Sequence, residues 1–135
     1  MFVGGTDTTA ATMEWLMAEL IKNPRIRKKA QEEIRRVVGK KTKITQDNIK
    51  QMEYFKCIVK ENMRHHASAM MPRQTSAKVK FRGYDIPAKT RVLTNTWAIQ
   101  RDPNLWDRSE VFLPERFVNR SNDDDDSDTN EEHKQ

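Results

Sequence analysis

Apolar side chains recur at intervals of three and four residues in the first part of the chain, which predicts amphipathic helices. The first stripe predicts a helix over residues 8–22 and consists of Met13, Leu16, Met17, Leu20 and Ile21. Asn23-Pro24 ends this helix, and Pro24 suits the first position of the next one. The second stripe stops before Gly39 and consists of Ile26, Ala30, Ile34, Val37 and Val38. Two consecutive helices are therefore predicted.

A short helix and a third long helix are predicted to follow. Thr45 is a residue type that caps helices, so it suits the start of the short one. The apolar face of the third long helix is predicted to consist of Met52, Phe55, Val59 and Met63. Residues 67–72 break this pattern.

Short strands are predicted after the helices. Residues 78–82 alternate in polarity, Gly83 predicts a turn, and residues 84–86 predict the returning strand. Residues 91–94 form another strand candidate, and two prolines favour an irregular remainder, namely Pro103 and Pro114. The whole pattern predicts a mainly α protein with small β pieces, an α+β arrangement.

Charge divides the chain into two parts. The net charge is +5 over 135 residues, but residues 121–135 hold seven acidic residues and one lysine. Their net charge of −6 leaves +11 on residues 1–120, which predicts a boundary near residue 120. The segment from Ser121 has the composition of an acidic disordered tail. Nucleic-acid binding by the basic part is not expected, because aromatic residues are not interleaved with its lysines and arginines.

Composition limits what the chain does alone. Hydrophobic residues make up 36 % of it and the mean hydropathy is −0.93, so burial offsets little of the chain entropy. The single cysteine, Cys57, excludes an internal disulfide and a multi-cysteine zinc site. No apolar run approaches the ~20 residues of a membrane helix, and no signal-peptide pattern is present. We therefore predict no membrane span in this chain.

Two short segments carry candidate chemistry. Residues 4–9, Gly-Gly-Thr-Asp-Thr-Thr (the 4–9 motif), place an acid beside hydroxyls after two glycines. One interpretation is a helix cap at Thr6 or Asp7. The other is a helix interrupted beside a ligand, where glycine allows close approach of a flat cofactor and the acid and hydroxyl relay protons. Further on, Glu61 and Arg64 are three residues apart and share a helix face, with Cys57 one turn earlier.

These segments, taken with residues 114–117, resemble the cytochrome P450 family. The 4–9 motif resembles the oxygen-activating helix motif of that family, residues 61–64 its Glu-x-x-Arg helix, and residues 114–117 its Pro-Glu-Arg-Phe element. Residues 83–90 and 97–103 are similar to connecting segments of plant microsomal members. The resemblance covers about residues 1–120 and implies a partial cytochrome P450 fold, with helices, short strands and then a meander-like segment.

The resemblance also implies roles for individual residues. Asp7 and Thr8 would be the acid–alcohol pair that delivers protons during oxygen activation, and Gly5 would lie against the haem. Arg73 would reach a haem propionate, although residues 65–72 appear two residues shorter than the usual pattern. A buried triad that braces the core would consist of Glu61, Arg64 and Arg116.

The resemblance further implies an activity, but this sequence departs from the family pattern after residues 114–117. The parent would oxidise a small apolar substrate with O2 and electrons from NADPH, supplied by NADPH-cytochrome P450 reductase on the cytosolic face of the endoplasmic reticulum. In the family, a glycine-rich loop with the iron-binding cysteine follows Pro-Glu-Arg-Phe, but here no cysteine follows Cys57 and no glycine follows Gly83. The axial ligand is therefore predicted to be absent and this chain to be an inactive truncated fragment, cytosolic if expressed alone. The alternative is a non-enzymatic interaction fragment that binds an intact homologue or the reductase.

Overall fold

The computed structural model describes residues 2–39, 43–67 and 70–118, so the predicted acidic tail and its boundary near residue 120 lie outside the described residues. Its described elements are five α-helices, four short strands and one 3₁₀-helix. They divide into two compact units, one formed by Met1–Arg64 with Val111–Gln135 and the other by His65–Glu110. The predicted mainly α fold with small β pieces is confirmed.

The first unit begins with two long helices. α1 spans Phe2–Lys22 and α2 spans Pro24–Val38. Between them, the side chain of Asn23 donates to the backbone carbonyl of Glu19 at 2.9 Å and to its carboxylate at 3.0 Å. Since Pro24 has no N–H to satisfy, α2 begins directly after this turn. The predicted break is therefore confirmed.

Two further helices complete the helical part of this unit, with a 3₁₀-helix at Pro114–Phe117. α3 spans Gln46–Lys50 and follows the predicted cap Thr45, whose backbone N–H donates to the Asn48 side chain at 3.1 Å. α4 spans Glu53–His65. The buried apolar cluster joins α2 and α4 to the segment before the 3₁₀-helix and consists of Ala30, Tyr54, Ile58 and Phe112. Partly buried side chains from α1 and α2 pack against it, namely Leu16, Leu20 and Ile26.

The predicted apolar face of α4 is largely wrong, although Met52, just before the helix, is buried at 3 % exposure. The side that packs inward repeats at helical spacing and consists of Tyr54, Cys57, Ile58, Glu61 and Asn62. Met63 is 59 % exposed, while Phe55 and Val59 are only half-buried. The inward side lies about one residue, roughly 100° around the helix, from the predicted face. The prediction missed it because two of its positions, Glu61 and Asn62, are polar. A pattern of hydrophobicity cannot find such a face.

The second unit consists of two antiparallel ribbons and one helix. β1 (Met71–Gln74) pairs with β4 (Arg91–Thr94), while β2 (Val79–Phe81) pairs with β3 (Tyr84–Ile86). Arg82 and Gly83 both have positive φ angles, 47° and 88°, as the primed two-residue hairpin turns require. The predicted hairpin and the strand at residues 91–94 are confirmed. Helix α5, Thr96–Arg101, lies in a segment for which no helix was predicted.

Candidate functional site

The 4–9 motif lies inside α1 and does not precede it. The helix continues through both glycines back to Phe2, so neither a cap at Thr6 or Asp7 nor an interrupted helix is correct. The hydroxyl of Thr9 donates to the Gly5 carbonyl at 2.7 Å, and that of Thr12 donates to the Thr8 carbonyl at 2.7 Å. Such side-chain hydrogen bonds to the carbonyl four residues earlier favour a local bend of the helix.

The side of α1 around the motif is open. Asp7 and Thr8 are exposed, and a Cβ added at Gly5 would meet no atom within 4 Å. A flat group could therefore approach the backbone here, which glycine alone permits without a side chain in the way.

Glu61, Arg64 and Arg116 meet in a buried ion cluster, referred to below as the Glu61 cluster. Arg64 holds the carboxylate with two hydrogen bonds, Nε to Oε2 at 2.9 Å and a terminal nitrogen to Oε1 at 2.8 Å. The Nε of Arg116 lies 3.1 Å from Oε2 as an ion pair. The side chains are 0 % exposed for Glu61, 2 % for Arg64 and 10 % for Arg116. The structure thus brings Arg116 to Glu61, although the two residues are 55 positions apart in sequence.

Backbone groups of residues 111–113 complete this cluster. The backbone N–H of Leu113 donates to Glu61 Oε1 at 2.8 Å. The carbonyl of Val111 lies 3.4 Å from an Arg64 nitrogen and 3.3 Å from an Arg116 nitrogen. Oε1 therefore accepts two hydrogen bonds, while Oε2 accepts one and also forms the ion pair with Arg116. Such additional contacts are the condition under which a buried charge pair is retained. The contacts also fix the chain that enters the 3₁₀-helix.

A second acid, Glu115, attaches the other side of the 3₁₀-helix. Its Oε1 accepts from the Tyr54 hydroxyl at 2.9 Å and from Lys29 Nζ at 3.2 Å. The same ammonium lies 3.8 Å from the centre of the Tyr54 ring. Burial and the hydrogen bond to Glu115 both raise the pKa of Tyr54. Burial raises the pKa of Glu115, but hydrogen bonds from its own backbone, Tyr54 and Lys29 outweigh this and leave the pKa lowered.

The first turn of α4 is held by an acid from α2. Glu33 accepts the backbone N–H of Tyr54 on one oxygen and that of Phe55 on the other, both at 2.9 Å. These are donors that a helix N-terminus leaves without intrahelical partners. The sequence gives no signal for Glu33 or for the Glu115 contacts, because their partners lie 21 to 86 residues away.

Arg73 lies in the second unit on β1. Its side chain is exposed and borders a shallow cavity of about 420 Å³ together with Pro72, Gln74 and Arg91. Arg73 lies opposite Val92 and Gln74 lies opposite Arg91, so the Arg73 and Arg91 side chains project from opposite faces of the ribbon. The exposed guanidinium of Arg73 alone offers donors for a carboxylate.

Cys57 does not fit the role of an iron ligand. It is 2 % exposed, lies within α4, and is one turn from Glu61 on the inward side. A thiolate ligand needs open approach to the metal, which this position does not offer. Cys57 therefore does not fit the role of the axial thiolate.

Comparison with known proteins identifies the family. The profile of the cytochrome P450 family matches residues 1–133. Cytochrome P450 71A1 from Persea americana is 58 % identical over 90 % of the chain, and tryptamine 5-hydroxylase from Oryza sativa subsp. japonica is 50 % identical over 87 %. A zebrafish cytochrome P450 solved with progesterone superimposes on 87 % of the chain with a TM-score of 0.81 and 32 % identity. The chain belongs to the cytochrome P450 family, whose cofactor is haem and whose members are haem-thiolate monooxygenases.

The matches cover only part of each relative. The chain spans 24 % of the Persea americana protein, 23 % of the Oryza sativa protein and 28 % of the zebrafish chain. Among the described residues, no helix is long and apolar enough to cross a membrane.

Proposed function

We propose that this chain is the segment of a plant haem-thiolate monooxygenase that carries the oxygen-activating helix and the ion cluster bracing its core. The parent oxidises a small apolar substrate with O2 and electrons derived from NADPH. The observation that carries the proposal is the completed Glu61 cluster at the position where the family motif expects it. By itself this chain does not catalyse the reaction, because its one thiol is buried in α4.

The proposed roles in the 4–9 motif follow from its open face. Haem, when bound, supplies the electron-transfer and oxygen-activating chemistry of the parent. Gly5 lets the haem approach the backbone of α1, because no neighbouring atom fills the space beside it. Asp7 and Thr8 take the role of the proton-delivering acid–alcohol pair because the 4–9 motif matches the oxygen-activating motif of the family, and both side chains are exposed on this part of α1.

The remaining proposed roles concern orientation. Arg73 binds a haem propionate through its guanidinium, an arrangement supported by the exposure of its side chain on β1. Glu61, Arg64 and Arg116 do not react; they keep α4 against the chain that enters the 3₁₀-helix.

The partners and location of the parent are also proposals. The redox partner is NADPH-cytochrome P450 reductase, and the location is the cytosolic face of the endoplasmic reticulum membrane. Both rest on membership of the cytochrome P450 family and on the likeness to plant members.

Carbon monoxide difference spectroscopy tests the inactivity of the chain. The purified chain, incubated with haem and reduced, is expected to give no thiolate-type Soret band. Cys57→Ala is the matched control, because any residual band that depends on Cys57 would disappear in it. A thiolate-type band in the unsubstituted chain contradicts the proposal.

The oxygen-handling roles are tested in the full-length parent that contains this segment. Asp7→Asn and Thr8→Val are expected to lower the fraction of consumed O2 that appears as oxidised substrate, because proton delivery slows. Glu14→Gln, an exposed substitution two turns along α1, is the control. Unchanged coupling in the first two variants contradicts the assignment.

A second function, a non-enzymatic interaction fragment, is favoured by one observation. α1 exposes several large apolar side chains to between 52 and 64 %, namely Met13, Trp15, Met17 and Ile21. Such surface suits pairing with an intact homologue, while the exposed lysines and arginines of α2 suit an acidic reductase surface. The test is whether the immobilised chain captures the intact homologue or the reductase at low and at high salt. Capture that persists at high salt indicates the apolar surface of α1, and capture lost at high salt indicates the basic surface of α2. No capture at either salt concentration contradicts this function.

A further inference from the structure

Asn62 of α4 is buried in an unusual way. It is 1 % exposed, and its side-chain nitrogen donates to the backbone carbonyl of Thr12 in α1 at 3.0 Å. Its side-chain oxygen is also buried, and no hydrogen bond reaches it from the described part of the chain. One half of the carboxamide therefore has a partner, and the other half does not.

This arrangement costs stability. An acceptor that is buried without a donor loses its hydration and gains nothing in return. The Thr12 carbonyl lies inside a helix, where the backbone of α1 already supplies a donor, so α1 does not need Asn62 to satisfy it. An apolar residue of similar volume would fill the same space without the cost. What the carboxamide adds is a directed bond between α4 and one particular turn of α1.

That turn is connected to the 4–9 motif by a second bond. The hydroxyl of Thr12 donates to the carbonyl of Thr8 at 2.7 Å. Two hydrogen bonds in succession thus join Asn62 to the backbone of Thr8. On α4 itself, Asn62 is adjacent to Glu61, the acid of the Glu61 cluster.

We propose that Asn62 is a positioning residue that fixes the turn of α1 carrying Asp7 and Thr8 against the helix that carries the Glu61 cluster. This inference rests on the proposed role of Asp7 and Thr8 in proton delivery. Asn62 touches neither haem nor substrate; it acts by setting where the Thr8 backbone lies. It links the braced part of the protein to the part that handles protons.

Residue-resolved hydrogen exchange of the full 135-residue chain, which needs no haem, tests the proposal. Asn62→Leu keeps the approximate volume and removes the donor. It is expected to lower amide protection at least fivefold within residues 8–16 and to leave α2 and the rest of α4 unchanged. Cys57→Ala, which alters an equally buried position of α4, is expected to show no change confined to residues 8–16.

Asn62→Asp separates a directed bond from simple packing. The protonated acid has an O–H that can donate to the Thr12 carbonyl, whereas the ionised acid places a second acceptor against it. Burial raises the pKa of such an acid, so protection within residues 8–16 is expected to return between about pH 8 and about pH 5. Asn62→Leu at the same two pH values cancels the titration of every other group, and it is expected to show no such return.

Each result decides the question. Localised loss in Asn62→Leu with pH-dependent recovery in Asn62→Asp supports the positioning role. Loss spread over α1, α2 and α4 shows that Asn62 serves general packing and overturns it, as does unchanged protection in residues 8–16. Because haem is absent throughout, failure of this test leaves the spectroscopic test of the proposed function standing.

Discussion

The Glu61 cluster and the 4–9 motif belong to the same unit, yet they differ in how far the chain completes them. Glu61 is 0 % exposed and faces Arg64, Arg116 and the Leu113 backbone N–H. In contrast, Asp7 and Thr8 are exposed on a helix side where Gly5 faces open space. The Glu61 carboxylate is enclosed by partners from the chain, whereas Asp7 and Thr8 lie at the surface.

The difference shows which part of the site is structural within this segment. A buried carboxylate is tolerated only when its charge and its hydrogen bonds are satisfied locally, so the Glu61 cluster forms only when all its partners are present. Exposed groups carry no such condition, because water satisfies them. Removing a partner should therefore affect stability strongly in the cluster and weakly in the motif.

The largest expected effect is that of Glu61→Gln. It leaves two arginines without their shared carboxylate in a buried site, which costs about 3–5 kcal/mol for one broken buried pair. Urea unfolding followed by circular dichroism measures the loss. Glu53→Gln, which alters an exposed ion pair on the same helix, is the control and should change the free energy of unfolding by less than about 1 kcal/mol. Equal effects of the two substitutions would show that the buried Glu61 cluster stabilises the fold no more than an exposed ion pair does.

The two arginines of the cluster should rank in a definite order. Arg64→Met loses both hydrogen bonds to Glu61, together with the contact to the Val111 carbonyl, at a side chain that is 2 % exposed, and should cost about 3 kcal/mol. Arg116→Met loses the ion pair with Glu61, together with its own contact to the Val111 carbonyl, at a side chain that is 10 % exposed, and should cost about 1–2 kcal/mol. The same unfolding measurement gives both values, and the reverse order would show that Arg116 is the principal partner of Glu61.

Glu115 should show an intermediate, pH-dependent effect. Its folded-state pKa is lowered, so its stabilisation is present above the ordinary value of 4.5 and is lost as pH falls through the folded pKa. Its side chain is 43 % exposed, so solvent screening limits the effect of Glu115→Gln to less than about 1 kcal/mol near neutral pH. The difference in unfolding free energy between the two proteins should vanish in acid. A difference that persists below the folded pKa would contradict an ionic origin.

Tyr54 provides a spectroscopic check of the same contact. The chain has two tyrosines, so in Tyr84→Phe the ultraviolet titration reports Tyr54 alone. Its pKa should lie above the ordinary value of about 10, first because of burial and then because of Glu115. Adding Glu115→Gln should lower this pKa, since the hydrogen bond to a charged acceptor is removed. No change on adding Glu115→Gln would show that burial alone accounts for the shift.

The smallest effect on stability is expected at Asp7. Asp7→Asn alters an exposed residue and should change the free energy of unfolding by less than about 0.5 kcal/mol. A loss comparable with that of Arg64→Met would show that the 4–9 motif is also part of the structural core.

Local structure was predictable where the signal was local. Pro24 after Asn23, Thr45 before α3 and Gly83 between β2 and β3 each act within a few residues, and each prediction is confirmed. α5 was missed because its six residues are too few to show a helical period, although its Asn95 cap, which accepts the Ala98 N–H at 3.0 Å, is a local signal. Similarly, the inward face of α4 was misplaced because Glu61 and Asn62 occupy positions that a hydrophobic pattern assigns to solvent.

By itself, the sequence determined the family, the order of most elements and the identity of the residues proposed for chemistry, because short motifs and helical periodicity are properties of neighbouring residues. Only the tertiary structure decided that the 4–9 motif lies within an uninterrupted helix and that Glu33 and Glu115 fasten α4 to other segments. It also decided that Asn62 reaches across to Thr12. Contacts between residues 21 to 86 positions apart depend on how helices pack, and packing is set by buried volume and hydrogen-bond geometry that a linear pattern does not contain.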